Sequence, residues 1–164
     1  MERRGVFVIV PAYNEGRVLR STVSGLLPRG YTVVVVDDGS LVPAHQFLEG
    51  LDVYCVRHSV NLGQGAALQT GGEFALALGA DVIVHFDADG QHSADLIERL
   101  IAPILRGEAD VTLGSRFLDP ADRREVPVRK QVLLKAGVFV SWAFTRVWLS
   151  DTHNGFRALF AHRR

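Results

Sequence analysis

Two aspartates separated by one residue, Asp87-Ala88-Asp89, stand just after the apolar run Val82-Ile83-Val84-His85-Phe86. Carboxylates at that spacing can converge on one hard cation as the chain turns away from a buried strand. Mg²⁺ and Mn²⁺ favour such oxygen ligands and leave room for diphosphate oxygens and water. Gln91 can add a neutral oxygen, directly or through water, so Asp87, Asp89 and Gln91 are the candidate metal ligands. The competing reading is a solvated turn rich in Asp and Gly. A second acidic pair lies in Asp37-Asp38-Gly39-Ser40. It is either turn chemistry or a base-and-ribose site, where a carboxylate accepts from ring N–H or ribose hydroxyl groups. In Pro11-Ala12-Tyr13-Asn14-Glu15, Tyr13 can line a base and Glu15 can serve base or ribose. Read alone, they are a packing residue and a first-turn helix acid. Arg116, after Gly114-Ser115, offers a planar donor fork for phosphate, against the ordinary reading of a surface arginine. Asn61-Leu62-Gly63-Gln64-Gly65-Ala66-Ala67 fits a dinucleotide fingerprint poorly, because Leu68 takes the place of its third glycine. It fits better as a Gly-rich helix start whose backbone can approach a nucleotide.

These groups need strand ends to hold them. Residues 6–10, 32–36, 53–56, 82–86 and 111–113 are short, rich in β-branched residues and almost continuously apolar. That pattern marks strands buried on both faces of a largely parallel sheet. Helices are expected at 15–27, 65–78 and 94–106, the last with Ser93 as N-cap and Asp95 in its first turn. Alternating β and α elements of this length predict an α/β fold, an open sheet flanked by helices, with ligands at the carboxyl ends of its strands. The acids, glycines and Arg116 sit at four such ends.

The 164 residues suffice for one domain with a useful core, and 48% are apolar against 22% charged, which excludes a disordered chain. Eighteen basic and eighteen acidic side chains cancel, so the sequence predicts no nucleic-acid partner. Cys55, inside an apolar run, is expected to pack as a small hydrophobe, and it suits a reducing compartment. The apolar run at 6–10 is too short for a secretion signal and is stopped by Pro11. No stretch reaches transmembrane length without a charge; the nearest, 132–149, is interrupted by Lys135 and Arg146. As a helix it carries Phe139, Trp142, Phe144 and Trp148 beside a narrow polar stripe, so it is either a core helix or a membrane-interface helix.

Taken in order, Pro11-Ala12-Tyr13-Asn14-Glu15, Val35-Val36-Asp37-Asp38-Gly39-Ser40, Asn61-Leu62-Gly63 with Gly65-Ala66-Ala67, Asp87 to His92, Gly114-Ser115-Arg116 and Asp151 to Arg157 resemble family 2 glycosyltransferases of the GT-A fold. The similarity is greatest to the dolichol-phosphate mannose synthase-like and bacterial polyprenyl-phosphate glycosyltransferase branch. The resemblance implies that Pro11, Ala12, Tyr13, Glu15, Val36 and Asp38 hold the nucleoside, with Asp37 supporting that turn and Gly65 near the donor. It implies that Asp87, Asp89 and Gln91 hold Mn²⁺ or Mg²⁺ on the diphosphate, with Ala88 contributing backbone. Arg116 would meet the donor diphosphate or the acceptor phosphate, Arg129 and Lys130 would add acceptor-phosphate contacts, and 151–157 would form an acceptor-side loop. Three departures stand out. Leu41-Val42-Pro43 replaces a polar stretch, so the helix expected after it should be altered. Gln64 stands where relatives often carry a basic residue. The chain ends at Arg164, where relatives continue, so the expectation is a single GT-A domain over 1–164 that lacks its C-terminal elements.

The implied reaction is inverting sugar transfer from a nucleotide-diphosphate sugar. A saccharide hydroxyl acceptor needs a general base, for which Asp151 is the late acid available; a lipid phosphate is already anionic and needs cations instead. Asp89, Arg116 and Asp151 are therefore the candidate catalytic residues, acting in the cytoplasm at the inner membrane face. Two alternatives are a non-catalytic nucleotide-binding fragment and a haloacid dehalogenase-type phosphohydrolase. The latter fits Asp87-Ala88-Asp89-Gly90 but expects that motif near the N-terminus.

Overall fold

The computed structural model describes residues 5–88, 95–114 and 155–161. In chain order the elements are β1 (Val6–Ala12), α1 (Gly16–Leu26), β2 (Thr32–Asp37), β3 (Tyr54–Arg57), α2 (Gln64–Ala77), β4 (Val82–His85), α3 (Asp95–Leu105), β5 (Val111–Leu113) and β6 (Arg157–Phe160). The chain divides into two compact units, Met1–Thr112 with Phe156–Arg164, and Leu113–Gly155. The second lies almost wholly outside the described residues.

The sheet runs β3-β2-β1-β4-β6-β5, with β1 parallel to β2 and β4, and β2 parallel to β3. Alternation along the strands divides the core into two layers. Val6, Val8, Val10, Val33, Val35, Val82, Val84 and Phe86 pack beneath α1 and α3 on one face. Phe7, Ile9, Val34, Val36 and Ile83 pack beneath α2 on the other. Helix α1 contributes Leu19, Val23 and Leu26, and α3 contributes Ile97, Leu100, Ile101 and Ile104, each set one apolar stripe at helical spacing. Helix α2 approaches the sheet through small residues. A Cβ on its Gly71 would overlap Ile9 Cγ2 and come within 3.0 Å of Val36 Cγ2.

Three expectations change. Strand β3 is not buried on both faces: Tyr54, Cys55 and Arg57 are exposed, because β3 ends the sheet order and pairs through β2. Cys55 is accordingly an exposed thiol rather than a packed hydrophobe. Val111 and Leu113 of β5, at the other end of the order, are exposed as well. Between β2 and β3 the altered stretch leaves Leu41 90% exposed and is followed by a single 3-10 turn, Ala44–Phe47, in place of a helix. The element that sequence reading missed is β6, which inserts antiparallel to β4 with His85 opposite Arg157 and Val84 opposite Ala158. Among the described residues no helix is long and apolar enough to cross a membrane. The 132–149 segment lies outside those residues.

Candidate functional site

Consecutive strands step from β1 outward to β2 and β3, then return to place β4 on the other side of β1. The chain therefore reverses direction between β1 and β4, where open α/β sheets bind ligands at their carboxyl ends. Register opens a crevice there. Strands β1 and β2 end level, with Ala12 opposite Asp37, whereas β4 leaves β1 earlier, its last pair being Ile9 with His85. The last residues of β1 and the chain after β4 thus diverge. The resulting cleft of about 550 Å³ is lined by Pro11, Ala12, Tyr13 and Glu15 from the β1 side, Asp38 from β2, Asn61, Gly63, Gln64 and Ala67 from the start of α2, and Asp87 and Ala88 from β4.

The β2 wall is rigid. Asp37 is fully buried; it accepts from the backbone N–H of Ser40 and Ala44 at 2.9 Å each and lies 3.5 Å from Arg57 Nε. Burial would raise its pKa, but the Ser40 hydroxyl, the two N–H groups and Arg57 together hold it below the usual carboxylate range. Asp38 accepts from Leu62 N–H at 2.9 Å and Gly63 N–H at 2.8 Å, and its Oδ1 lies 2.7 Å from His58 Nδ1. Burial again acts upward on its pKa and is outweighed by Leu62, His58 and Gly63. A carboxylate only accepts, so His58 Nδ1 is the donor, and the other ring nitrogen meets Thr70 Oγ1 at 2.9 Å. With about four acceptor positions per carboxylate and three engaged, Asp38 keeps one acceptor position open among the described residues.

The β1 loop is fastened to the same wall. Asn14, in left-handed backbone at φ 60°, donates its N–H to Ser40 Oγ at 2.9 Å, and its side-chain Oδ1 accepts from Leu41 N–H at 3.0 Å. Asp38 N–H donates to Ala12 carbonyl at 2.9 Å. Tyr13 is left half exposed beside the cleft, an aromatic face available to a planar ring.

The β4 wall is built differently. Asp87 accepts from Gln64 Nε2 at 2.9 Å, which draws the start of α2 onto the chain leaving β4. Thr22 Oγ1 donates to Ala88 carbonyl at 3.2 Å and secures the opposite side of that chain. Asp87 is a hard oxygen donor and suits Mg²⁺ or Mn²⁺ chemically. Its expected co-ligands Asp89 and Gln91 lie outside the described residues, and those residues contain no group of three potential His, Cys, Asp or Glu ligands. Arg116, Arg129, Lys130 and Asp151 also lie outside them.

Of the expected donor-site residues, Pro11, Ala12, Tyr13, Glu15, Asp38, Asp87 and Ala88 converge on the cleft. Three do not line it. The Val36 side chain is buried in the layer under α2, Asp37 is enclosed by the turn it supports, and Gly65 sits one residue inside α2. Sequence reading passed over His58. Its signal was a polar residue directly after a β-strand whose neighbour in the sheet carries the acidic pair.

The sequence model of Glycosyl transferase family 2 matches residues 7–160. The chain is 31% identical to the UDP-N-acetylglucosamine–dolichyl-phosphate N-acetylglucosaminyltransferase of Methanococcus voltae, covering 93% of this chain and 68% of that protein. It is 32% identical to the polyprenol monophosphomannose synthase of Mycolicibacterium smegmatis, covering 92% and 60%. The chain thus spans 60–68% of the length of these two relatives. The crystal structure of glucosyl-3-phosphoglycerate synthase from Mycobacterium tuberculosis superposes with a TM-score of 0.69 over 97% of this chain and 57% of that one, at 20% identity.

Proposed function

The chain belongs to glycosyl transferase family 2, with the GT-A fold, and on that premise we propose that it transfers a sugar, with inversion, from a nucleotide-diphosphate sugar to a polyprenyl phosphate. The observation that carries the reading is the distribution of the two acids along the cleft. Asp38 and Asp87 lie at the ends of β2 and β4, with β1 between them. Two strand spacings separate them by roughly 10 Å across the sheet. One wall suits a nucleoside, through Tyr13 and the remaining acceptor position of Asp38. The other suits a diphosphate with a divalent cation, through Asp87 and, by the resemblance, Asp89 and Gln91. A bound cation would neutralise charge on the departing diphosphate. The chain's own residues hold and orient the donor, so that displacement occurs within one complex. The lipid-phosphate acceptor is supported by the names of the two relatives, a dolichyl-phosphate transferase and a polyprenol monophosphomannose synthase. Such an acceptor resides in a membrane, and our reading puts the reaction at its inner face. The family match removes the phosphohydrolase alternative.

A thermal-shift panel of UDP and GDP, each with Mn²⁺ or with chelator, tests the donor half. One nucleotide should raise the melting temperature more with Mn²⁺ than without, because a ligand that binds only the folded state stabilises it by mass action. Asp87→Ala should remove the metal-dependent part and leave the unliganded melting temperature nearly unchanged. Equal stabilisation with chelator and Mn²⁺ would defeat the metal assignment. The acceptor half is read from transfer of radiolabelled sugar to a polyprenyl phosphate, and transfer to a saccharide alone would defeat it.

A further inference from the structure

Beside Asp38 stands a histidine with both ring nitrogens committed. The backbone N–H of His58 donates to the Asp37 carbonyl at 2.9 Å, its Nδ1 donates to Asp38 Oδ1 at 2.7 Å, and its Nε2 lies 2.9 Å from Thr70 Oγ1. The residue follows β3 directly, and its side chain is only 10% exposed. The Thr70 hydroxyl both donates and accepts, so it satisfies Nε2 in either protonation state of the ring, and Nδ1–H meets Asp38 in both. Helix α2 brings Thr70 this close because the next residue is Gly71, set against Ile9 and Val36 where a Cβ would not fit.

The consequence falls on the two carboxylate oxygens unequally. Each offers about two acceptor positions. Oδ1 of Asp38 has both filled, by His58 Nδ1 and by Leu62 N–H at 2.9 Å. Among the described residues Oδ2 has one filled, by Gly63 N–H at 2.8 Å. Asp38 N–H is bonded to the Ala12 carbonyl, and Ala12 is followed by Tyr13, whose half-exposed ring lines the same cleft. The carboxylate and the aromatic face are thus neighbours on one wall.

We infer that His58, braced by Thr70, is a specificity-determining residue of the nucleoside wall: by filling Oδ1 it leaves Asp38 a one-point acceptor at Oδ2, which selects a base edge with one donor, uracil, over one with two adjacent donors, guanine. This rests on the donor half of the transfer reading above. Uracil presents its imide N–H between two carbonyls, and one accepted hydrogen bond satisfies it. Guanine presents N1–H and its amino group side by side, a pair that matches both oxygens of a free carboxylate. With Oδ1 already filled, one of those donors leaves water without gaining an acceptor, and such a donor is costly to bury. Adenine and cytosine set a ring-nitrogen lone pair beside their amino donor, which a carboxylate repels. His58 acts through Asp38 and is a positioning residue: with its ring in place the carboxylate cannot turn to present both oxygens.

The test is calorimetric titration, with chelator present, of UMP, GMP, 3-methyl-UMP and 2′-deoxy-UMP into the chain and its His58→Ala, His58→Asn and Thr70→Val variants. Unliganded melting curves are recorded for each. The parent should bind UMP at least about tenfold tighter than GMP or 3-methyl-UMP, the worth of one hydrogen bond to a charged group. It should bind 2′-deoxy-UMP within about threefold of UMP, because the ribose is not what Asp38 reads. His58→Ala should bring UMP and GMP to within about threefold of each other, chiefly by weakening UMP. A histidine that only filled space would, when removed, weaken both nucleotides alike. His58→Asn keeps a side-chain N–H near the place of Nδ1 and should restore most of the preference, and Thr70→Val should lose less of it than His58→Ala. A parent that prefers GMP, a preference that survives His58→Ala, or a loss that follows 2′-deoxy-UMP instead of 3-methyl-UMP would overturn the inference while leaving nucleotide binding intact. If His58→Ala does not fold, an unchanged preference in Thr70→Val overturns it. A parent that binds none of the four nucleotides overturns the donor reading, and this inference falls with it.

Discussion

At the end of β2, Asp38 meets three protein donors between 2.7 and 2.9 Å, and Asp37 beneath it meets two backbone N–H groups and an arginine. At the end of β4, Asp87 is joined to Gln64 by an exposed side-chain contact, and His85 and Arg157 carry buried polar atoms, Nδ1 and Nε, with no partner among the described residues. The β2 end is finished by the protein itself, so its geometry exists before any ligand arrives. The β4 end carries buried polar atoms on its α2 face that meet no partner among the described residues. A site of this kind holds part of its ligand in a preorganised wall and completes the other part on binding, where the interactions are strongest in a partly desolvated cleft. The contrast predicts that damage at the β2 end costs stability, whereas damage at the β4 end costs binding.

The largest break should come from Gly39→Ala. A Cβ there would lie 2.6 Å from Val60 C and 2.7 Å from Asn61 N, both backbone atoms, at a φ of +76°. Neither neighbour can swing aside, so about 4 kcal/mol of stability should be lost in urea unfolding. A loss below about 1 kcal/mol would show that the 58–63 loop is not clamped to β2. Next comes Asp38→Ala, which leaves Leu62 N–H, Gly63 N–H and His58 Nδ1–H without their acceptor and should cost about 3 kcal/mol. It should also weaken a free nucleoside monophosphate, while Asp87→Ala scarcely changes that affinity. If both variants lose the monophosphate equally, the division between the two walls is wrong.

The smallest effect is a pH dependence at the β4 end, measured with chelator present. Burial, and then the charge of Arg157, push the His85 pKa down to about 4. Between about 6.5 and 4 the unfolded chain takes up a proton there that the folded chain refuses. Stability should therefore fall as pH drops through that window, by about 2 kcal/mol after allowing for partial solvent screening. His85→Phe should flatten the slope, and an unchanged slope would place the histidine in water. Asp37 and Asp38 act in a different window. Their folded pKa values lie below the usual 3.8, so the stability they confer is present above that value and fades only as pH falls through the folded ones.

By itself the sequence determined the central strands and where chemistry sits on them. Val6–Ala12, Thr32–Asp37 and Val82–His85 are buried along almost their whole length. Continuous apolarity followed by Pro11, Asp37 or Asp87 marks both a two-sided burial and its end, because both are local consequences of side-chain type. The stripes of α1 and α3 were legible for the same reason. Tertiary structure alone decided who stands beside whom. Tyr54 to Arg57 reads as a buried strand, but its place at the end of the sheet order leaves Cys55 exposed. Arg157 to Phe160 is too short and mixed to announce a strand, and it becomes one because β4 offers it a ladder. That Asp38 would be gripped by His58, Leu62 and Gly63, twenty or more residues away, followed from β3 lying against β2. Side-chain type fixes whether a segment is buried, and long-range pairing of strands fixes which buried groups meet; one sequence window carries the first and contains only half of the second.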